Sequence, residues 1–518
     1  LAIKRSKRSR VFRTIQVSIH GIGIRIVVDD GVWPMLSGMM VVDSTSTQKL
    51  IEVIAQRDGQ IIELLETVER QAKRIGDLEI GIAKLKKNSG NCSKPPSSDI
   101  TKPKDKSDKR RGKGKRRRGG QQGHPKHERP MFDVDQVDKS YDYEFVDSQD
   151  LQHLEPLDEF RVIQQVELAT KLYTVTEHRA RKYRCKATGQ IITAPLPDDV
   201  VRAGLIGPRL SALIAYQKGS GHASYTTIQN YLRDVLDLSL STGQLAKTVA
   251  KTSDALAKPY QEIEQVLPQQ AHLGVDETGH KDSGKRHWTW CFRSELFTLF
   301  KIDPSRGSQV LLDTLGDNFN GTLGCDYFSA YRKYMGDPRN VNVTVQFCLA
   351  HLIRDVKFLT TLPDKATQRY GHKLLNELKK LFGVIHRREQ LTEQGFVRSL
   401  NRARENIINA AKRPPPRREA KNMATRFKKH GRSYFTFITT PGIEPTNNLT
   451  EQAIRFVVID RKITQGTRSP TGQRWCQRIW TVIATCVQQG RSVFVFLFEA
   501  LQAHFNNNPS PSLLPARA

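Results

Sequence analysis

At 518 residues, with 82 Lys and Arg against 53 Asp and Glu and a net charge of +29, the chain has room for several cored domains and a charge suited to a polyanion. DNA, RNA or an anionic membrane surface would neutralise that charge, but the membrane option is weak, because no stretch approaches the roughly 18 consecutive apolar residues of a spanning helix and the apolar run 494–498 is far too short. Seven Cys, an odd number without close pairing, argue against a disulfide framework and for a reducing cytoplasm.

Residues 1–38 mix Arg-rich and Ile/Val-rich pieces without the ordered regions of a secretory signal. They read as an upstream extension, with Met39 or Met40 as the expected natural start. From 39 to 87, Ile54, Ile61, Val68, Ile75 and Ile82 recur every seven residues, and Leu50, Leu64, Leu78 and Leu85 fill the second core position. β-Branched residues at one position and Leu at the other favour a parallel two-stranded coiled coil, and hence a homodimer. Arg57 and Gln71 interrupt the seam, and Gly59, Gly76 and Gly81 each cost about 1 kcal/mol of helix propensity relative to Ala. The plainer alternative is one amphipathic helix docked on the body of the protein, but five sevenfold repeats exceed a single packing stripe.

Residues 88–130 turn to Asn, Ser, Pro, Gly, Lys and Arg, a composition that cannot bury enough apolar surface to order itself. Within this linker, 102–118 carries 11 basic residues in 17 positions, and Lys113, Lys115, Arg116, Arg117 and Arg118 are candidate phosphate contacts. The alternative is a solvated tail. Residues 131–200 alternate apolar and polar positions, as in Arg161-Val-Ile-Gln-Gln-Val-Glu-Leu, and predict a small β-rich module; its single Cys185 cannot make a paired-Cys zinc site.

Residues 201–267 read as helical, with one segment from Ser224 to Asp237, a short Leu-Ser-Leu connection and another helix opening at Ser241. The pair resembles a helix-turn-helix, and Lys247 and Lys251, four apart on one face, are its candidate DNA contacts, although plain helix packing explains such a pair equally well. The region 268–460 opens with strands at His272–Asp276, 286–293 and 297–302, then adds strands at Thr322–Asp326 and 341–347 and a helix over 349–359. A basic helical insertion is expected over about 365–440, and 461–518 closes the chain with a helix pair anchored by Trp475 and Trp480. The element order is that of an α/β protein with a ribonuclease H-like catalytic core.

Three acids stand out in this region. Asp276 in His272-Leu-Gly-Val-Asp-Glu-Thr-Gly and Asp326 in Leu323-Gly-Cys-Asp-Tyr-Phe-Ser end short apolar runs, and Glu451 in Thr446-Asn-Asn-Leu-Thr-Glu opens a helix. Carboxylate oxygens gathered at one point are what hard divalent cations need, and Mg²⁺ is usually held by one or two carboxylates plus a substrate phosphate. Each acid also has a bland explanation: a turn for Asp276, a helix cap for Asp326, and for Glu451 the third residue of a capping box begun by Asn448. Glu277 is the rival to Asp276; Arg455 and Lys462 are candidate phosphate contacts, and His351 could approach the site from its helix start, although a lone His is more often a satisfied structural residue.

Asn88-Ser-Gly-Asn-Cys-Ser-Lys-Pro-Pro-Ser-Ser-Asp, Gly119-Gly-Gln-Gln-Gly-His-Pro, Val275-Asp-Glu-Thr, Cys348-Leu-Ala-His and Asn447-Asn-Leu-Thr-Glu-Gln-Ala-Ile-Arg, followed by Asp460-Arg-Lys, are collinear from about residue 50 to about residue 500. Together they resemble the transposases of the insertion-sequence-sixty-six family. The resemblance implies a DDE transposase that binds the terminal inverted repeats of a bacterial insertion sequence, cuts double-stranded DNA at the element's ends and joins the freed 3′-hydroxyls to target DNA. It implies Asp276, Asp326 and Glu451 as catalytic acids and metal ligands. Two Mg²⁺ or Mn²⁺ ions about 3.5–4 Å apart would then serve an in-line displacement, with Asp276 bridging and each other acid on one ion. It also implies oligomers on DNA and accessory proteins encoded by the same element. Where the family carries a Cys-rich zinc piece, this chain has Arg184-Cys-Lys-Ala-Thr-Gly, so no zinc is expected. The alternatives are a decayed transposase, a non-catalytic DNA-binding protein and, more weakly, another nuclease of the same fold.

Overall fold

The computed structural model describes residues 13–19, 22–28, 44–85, 131–142, 162–166, 168, 171–186 and 189–515, with side chains from residue 52 onward. The chain divides into two compact units, Leu1–Glu79 and Ile80–Ala518.

In the first unit, β1 (Arg13–Ile19) and β2 (Ile22–Val28) pair antiparallel. The sequence reading assigned no structure to this stretch, although its alternating Ile and Val suit a strand pair. A single helix, α1 (Ser44–Leu85), follows and runs 42 residues into the start of the second unit. Its heptad positions Ile54, Ile61, Val68 and Ile75 are all more than half exposed in the single chain. The basic run containing Lys113, Lys115, Arg116, Arg117 and Arg118 lies outside the described residues.

In the second unit, the expected β-rich module contributes, among the described residues, one pair of three-residue strands, β3 (Lys182–Arg184) and β4 (Ile191–Thr193). Five helices then pack together: α2 (Asp198–Ala203), α3 (Pro208–Gly219), α4 (Tyr225–Leu236), α5 (Thr242–Ala255) and α6 (Ala257–Val266). Ser224 and Ser241 cap α4 and α5, each accepting from the N–H three residues on.

A five-stranded mixed sheet forms the centre, from β5 (His272–Asp282), β6 (Lys285–Arg293), β7 (Thr298–Asp303), β8 (Thr322–Cys325) and β9 (Thr344–Phe347), in the order β7-β6-β5-β8-β9. β5, β6 and β7 are antiparallel neighbours, and β8 and β9 add parallel to β5. Around the sheet lie α7 (Gln309–Leu315), α8 (Ser329–Met335), α9 (Leu349–Leu359), the helical insertion α10 (Lys365–Ile385), α11 (Glu393–Ala411), α12 (Arg418–His430) and α13 (Thr436–Thr439), and then α14 (Asn448–Thr464), α15 (Pro470–Gln488) and α16 (Val493–Phe505).

An edge strand leaves a row of N–H groups without partners, and helix α15 covers that of β7. Gln477, Thr481 and Thr485, one helical turn apart, accept from the N–H groups of Ile302, Phe300 and Thr298. Trp480 is buried as expected, and its indole N–H donates to buried Asp460 on α14 at 3.0 Å. The other oxygen of Asp460 lies 3.1 Å from His222 Nδ1, so one carboxylate ties the α3–α4 connection to α14 and α15.

Candidate active site

β5 and β8 run side by side with Gly274 opposite Gly324. Two residues further on, that parallel register sets Asp276 beside Asp326, the residue that follows β8. The period of two puts Gly274 and Asp276 on one face of the sheet, and α14 packs on that face. A Cβ on Gly274 would overlap Thr450 Oγ1 and lie 3.0 Å from Asn447 Oδ1, so the absent side chain is what lets the start of α14 approach. Asn447 Nδ2 donates to Val275 O at 2.9 Å and fixes that approach. Glu451, one residue after Thr450, is thereby brought to the two aspartates.

The electrostatics record the meeting of the three acids. Burial and the neighbouring charges of Glu277, Asp326 and Glu451 raise the Asp276 carboxyl well above its ordinary range. Asp326 is raised by burial, partly opposed by the Phe328 N–H and by Arg306 and Arg426. Burial also raises Glu451, with Arg354 opposing and the charge of Asp326 adding to the rise. All three acids retain some accessible surface, so a ligand can reach them.

The bland explanations for these acids do not describe the structure. Asp276 lies inside β5, not in a turn. Asp326 Oδ1 accepts from the N–H of Phe328 at 2.8 Å, an Asx turn that precedes α8 without capping it. Asn447, not Asn448, is the N-cap of α14, and no capping box forms with Glu451. Glu277, next to Asp276 on β5, is close enough to raise Asp276 but is engaged by other partners. Its carboxylate accepts from Arg306 at 2.6 and 2.8 Å and from the Tyr331 hydroxyl, and burial with the charge of Asp326 pushes it up to about 7.

His351 does reach the site, with Nδ1 3.4 Å from Glu451 Oε1. Burial and the charge of Arg354 depress the imidazole to about 4, so it is neutral near pH 7 and the contact is not an ion pair. Cys348, His351 and Glu451 together bring three ligand atoms within 4.8 Å, a softer donor set beside the carboxylates. The Arg354 guanidinium already faces that set, 3.2 Å from the His351 ring nitrogens and 3.3 Å from Glu451.

Of the candidate DNA contacts, Lys247 and Arg455 are exposed, and Arg455 is near enough to influence Glu451. Lys251 is a correction: its ammonium donates to the carbonyls of Arg202 and Ala203 at 2.7 and 3.0 Å, capping the end of α2 and serving packing instead of a ligand. Lys462 is exposed and lines a basic cavity beyond the acids. Sequence reasoning missed Arg306, Tyr331 and Arg354. Arg354 follows His351 by three residues on α9, a helical spacing that could have flagged it, whereas Arg306 sits on an irregular segment with no period to read.

The sequence profile described as "Transposase IS66 family" matches residues 203–474, which includes all three acids and the whole sheet. The chain belongs to this transposase family. Residues 44–130 match a second profile, a family of unknown function. Among curated proteins, the chain is 25% identical over 360 residues to an uncharacterised protein, y4qI, of Sinorhizobium fredii, covering 64% of this chain. The chain spans 65% of that relative's length, just under two thirds. Among the described residues, no helix is long and apolar enough to cross a membrane.

Proposed function

We propose that the chain is a DDE transposase that cuts double-stranded DNA at the ends of its mobile element and joins the 3′-ends to target DNA. The observation that carries this reading is the convergence of Asp276, Asp326 and Glu451 on one face of the sheet, where Asp326 and Glu451 raise the carboxyl of Asp276 and Asp326 raises that of Glu451. The mixed sheet, with acids on two adjacent strands and a facing helix, supports a ribonuclease H-like core.

Three clustered carboxylates repel one another, and oxygen donors in that arrangement suit Mg²⁺ or Mn²⁺. When bound, a pair of such ions would polarise the scissile phosphate and activate the attacking oxygen of water or a 3′-hydroxyl. Asp276, Asp326 and Glu451 would hold these ions. Arg354 holds Glu451 from behind, and the Phe328 N–H holds Asp326. Lys462 and Arg455 would meet DNA phosphates, and the linker residues Lys113 to Arg118 would add salt-sensitive affinity without reading sequence. The exposed heptad positions of α1 suit a second copy of the same helix, which would let two catalytic units act on two element ends.

The test is incubation of the protein with labelled duplexes carrying the ends of its element. Mg²⁺ should support nicking at the ends and joining, Ca²⁺ should support binding alone, and Glu451→Gln should bind but not cut. Cutting by Glu451→Gln at the wild-type rate would remove Glu451 from the site.

A further inference from the structure

The chain's next notable concavity lies beyond the acids, at the far end of the β5–β6 hairpin. A cavity of about 490 Å³ is lined there by His280, Lys281, Arg286, Trp288, Arg461 and Lys462, together with glycines and Gln465. We propose that this cavity receives one unpaired nucleotide of the DNA strand being processed, its phosphate held by the cations and its base against the Trp288 indole. The inference rests on the transposase reading and adds a base-accepting subsite to it.

Four basic side chains converge on one pocket. Arg461 is half-buried and spends one N–H on Thr278 Oγ1 at 3.1 Å, leaving its other donors for a ligand. Gly279 pairs with Trp288 across the β5–β6 ladder, so no side chain covers the indole from that position. Arg306, itself held by Glu277, lies over the same ring at 4.4 Å and steadies it, and the exposed Arg286 reaches it at 5.7 Å. His280, 3% exposed, closes the inner wall, with its Nε2 against Thr467 Oγ1 at 3.0 Å.

The backbone keeps the cavity open. Gly466, with φ +103, lets the turn after α14 press on Lys281 O, and Thr467 N donates to that same carbonyl at 2.9 Å. The turn therefore braces the rim formed by the end of β5. Gly279 follows Asp276 by three residues, about 10 Å along a strand. That is about three base-pair rises of DNA, close enough for a nucleotide in the cavity to belong to the strand cut at the acids.

The test is fluorescence anisotropy in Ca²⁺ with two labelled element-end duplexes, one fully paired and one with its terminal pairs replaced by unpaired nucleotides. Wild type should bind the unpaired form about 10-fold more tightly, the scale of one base stacked on an aromatic ring. Trp288→Ala should lose the preference while still binding paired DNA and keeping the wild-type circular dichroism spectrum, whereas the Arg461→Gln/Lys462→Gln pair should lose the preference and also bind both duplexes more weakly, because Lys462 meets phosphate in either. A 2-aminopurine at the unpaired position should be quenched by wild type and not by Trp288→Ala. Equal affinity of wild type for both duplexes, or a preference that survives in Trp288→Ala, would overturn the proposal. Asp276→Asn should keep the preference, so a protein that shows the preference but never cuts contradicts only the catalytic reading, and one that cuts without the preference contradicts only the cavity.

Discussion

Asp276→Asn is expected to abolish DNA cutting and, in the absence of metal, to make the protein more stable. Both effects follow from the same crowding. The carboxyl is raised by burial and by Glu277, Asp326 and Glu451, so its ionised form is disfavoured in the fold relative to the unfolded chain. Between its ordinary pKa of about 3.8 and its raised folded value, the native state binds the proton more strongly, and the contribution of this group to stability falls as pH rises. An amide carries no such charge. The melting temperature of Asp276→Asn, measured with a chelator present, should therefore exceed that of wild type, and the gap should widen as pH is raised from 4 toward neutrality. With Mg²⁺ and DNA the ranking of function reverses: loss of a ligand that stabilises developing charge by several kcal/mol corresponds to at least about 10³-fold in rate. A variant less stable than wild type at pH 7.5, or one still cutting at a tenth of its rate, would show that Asp276 is an ordinary strand residue.

Gly274→Ala should disable the site without touching an acid. The added methyl would overlap Thr450 Oγ1 and crowd Asn447 Oδ1. Thr450 is 2% exposed and β-branched, so rotating the hydroxyl away brings its methyl toward the same space. Overpacking of this kind costs about 1–3 kcal/mol of stability. The catalytic effect should be larger, because relief comes from lifting the start of α14, and Glu451 moves with it. A displacement of about 1 Å at a reacting centre is worth about 10²-fold in rate. Single-turnover cutting should fall by about that factor in Gly274→Ala and recover substantially in Gly274→Ala/Thr450→Ala, which restores the space. Failure of the second substitution to restore any activity would mean that the glycine serves something other than the approach of α14.

Much of this site was legible in the sequence because strands and helix starts announce themselves locally. His272 to Asp276 and Thr322 to Asp326 read as strands from their apolar residues, and helices read as opening at Ser224 and Ser241. The helix over 349–359 has the bounds read from the sequence. Long-range facts were not legible. The extension of β5 to Asp282 depends on pairing with Lys285 across a tight turn, and the acid at its start gave no sign of that. Glu451 looked like a capping residue on spacing, but Asn447 spends its side chain on Val275 O across the interface, which no helix rule contains. The case of Lys251 has the same origin: an exposed lysine and one capping a neighbouring helix are identical in sequence, and only the fold brings the end of α2 to it. Glu277 shows the reverse, since strand alternation already separates it from Asp276 and the structure supplies the Arg306 and Tyr331 that hold it there.

The most direct test of the account is the number of Mn²⁺ ions held at the acids, read by electron paramagnetic resonance titration of the protein bound to element-end DNA. Two ions per chain in wild type, with loss of both in Asp276→Asn and of one each in Asp326→Asn and Glu451→Gln, is the predicted result. Identical Mn²⁺ occupancy in wild type and Asp276→Asn would contradict the claim that these three carboxylates form the metal centre of a DNA-cutting enzyme.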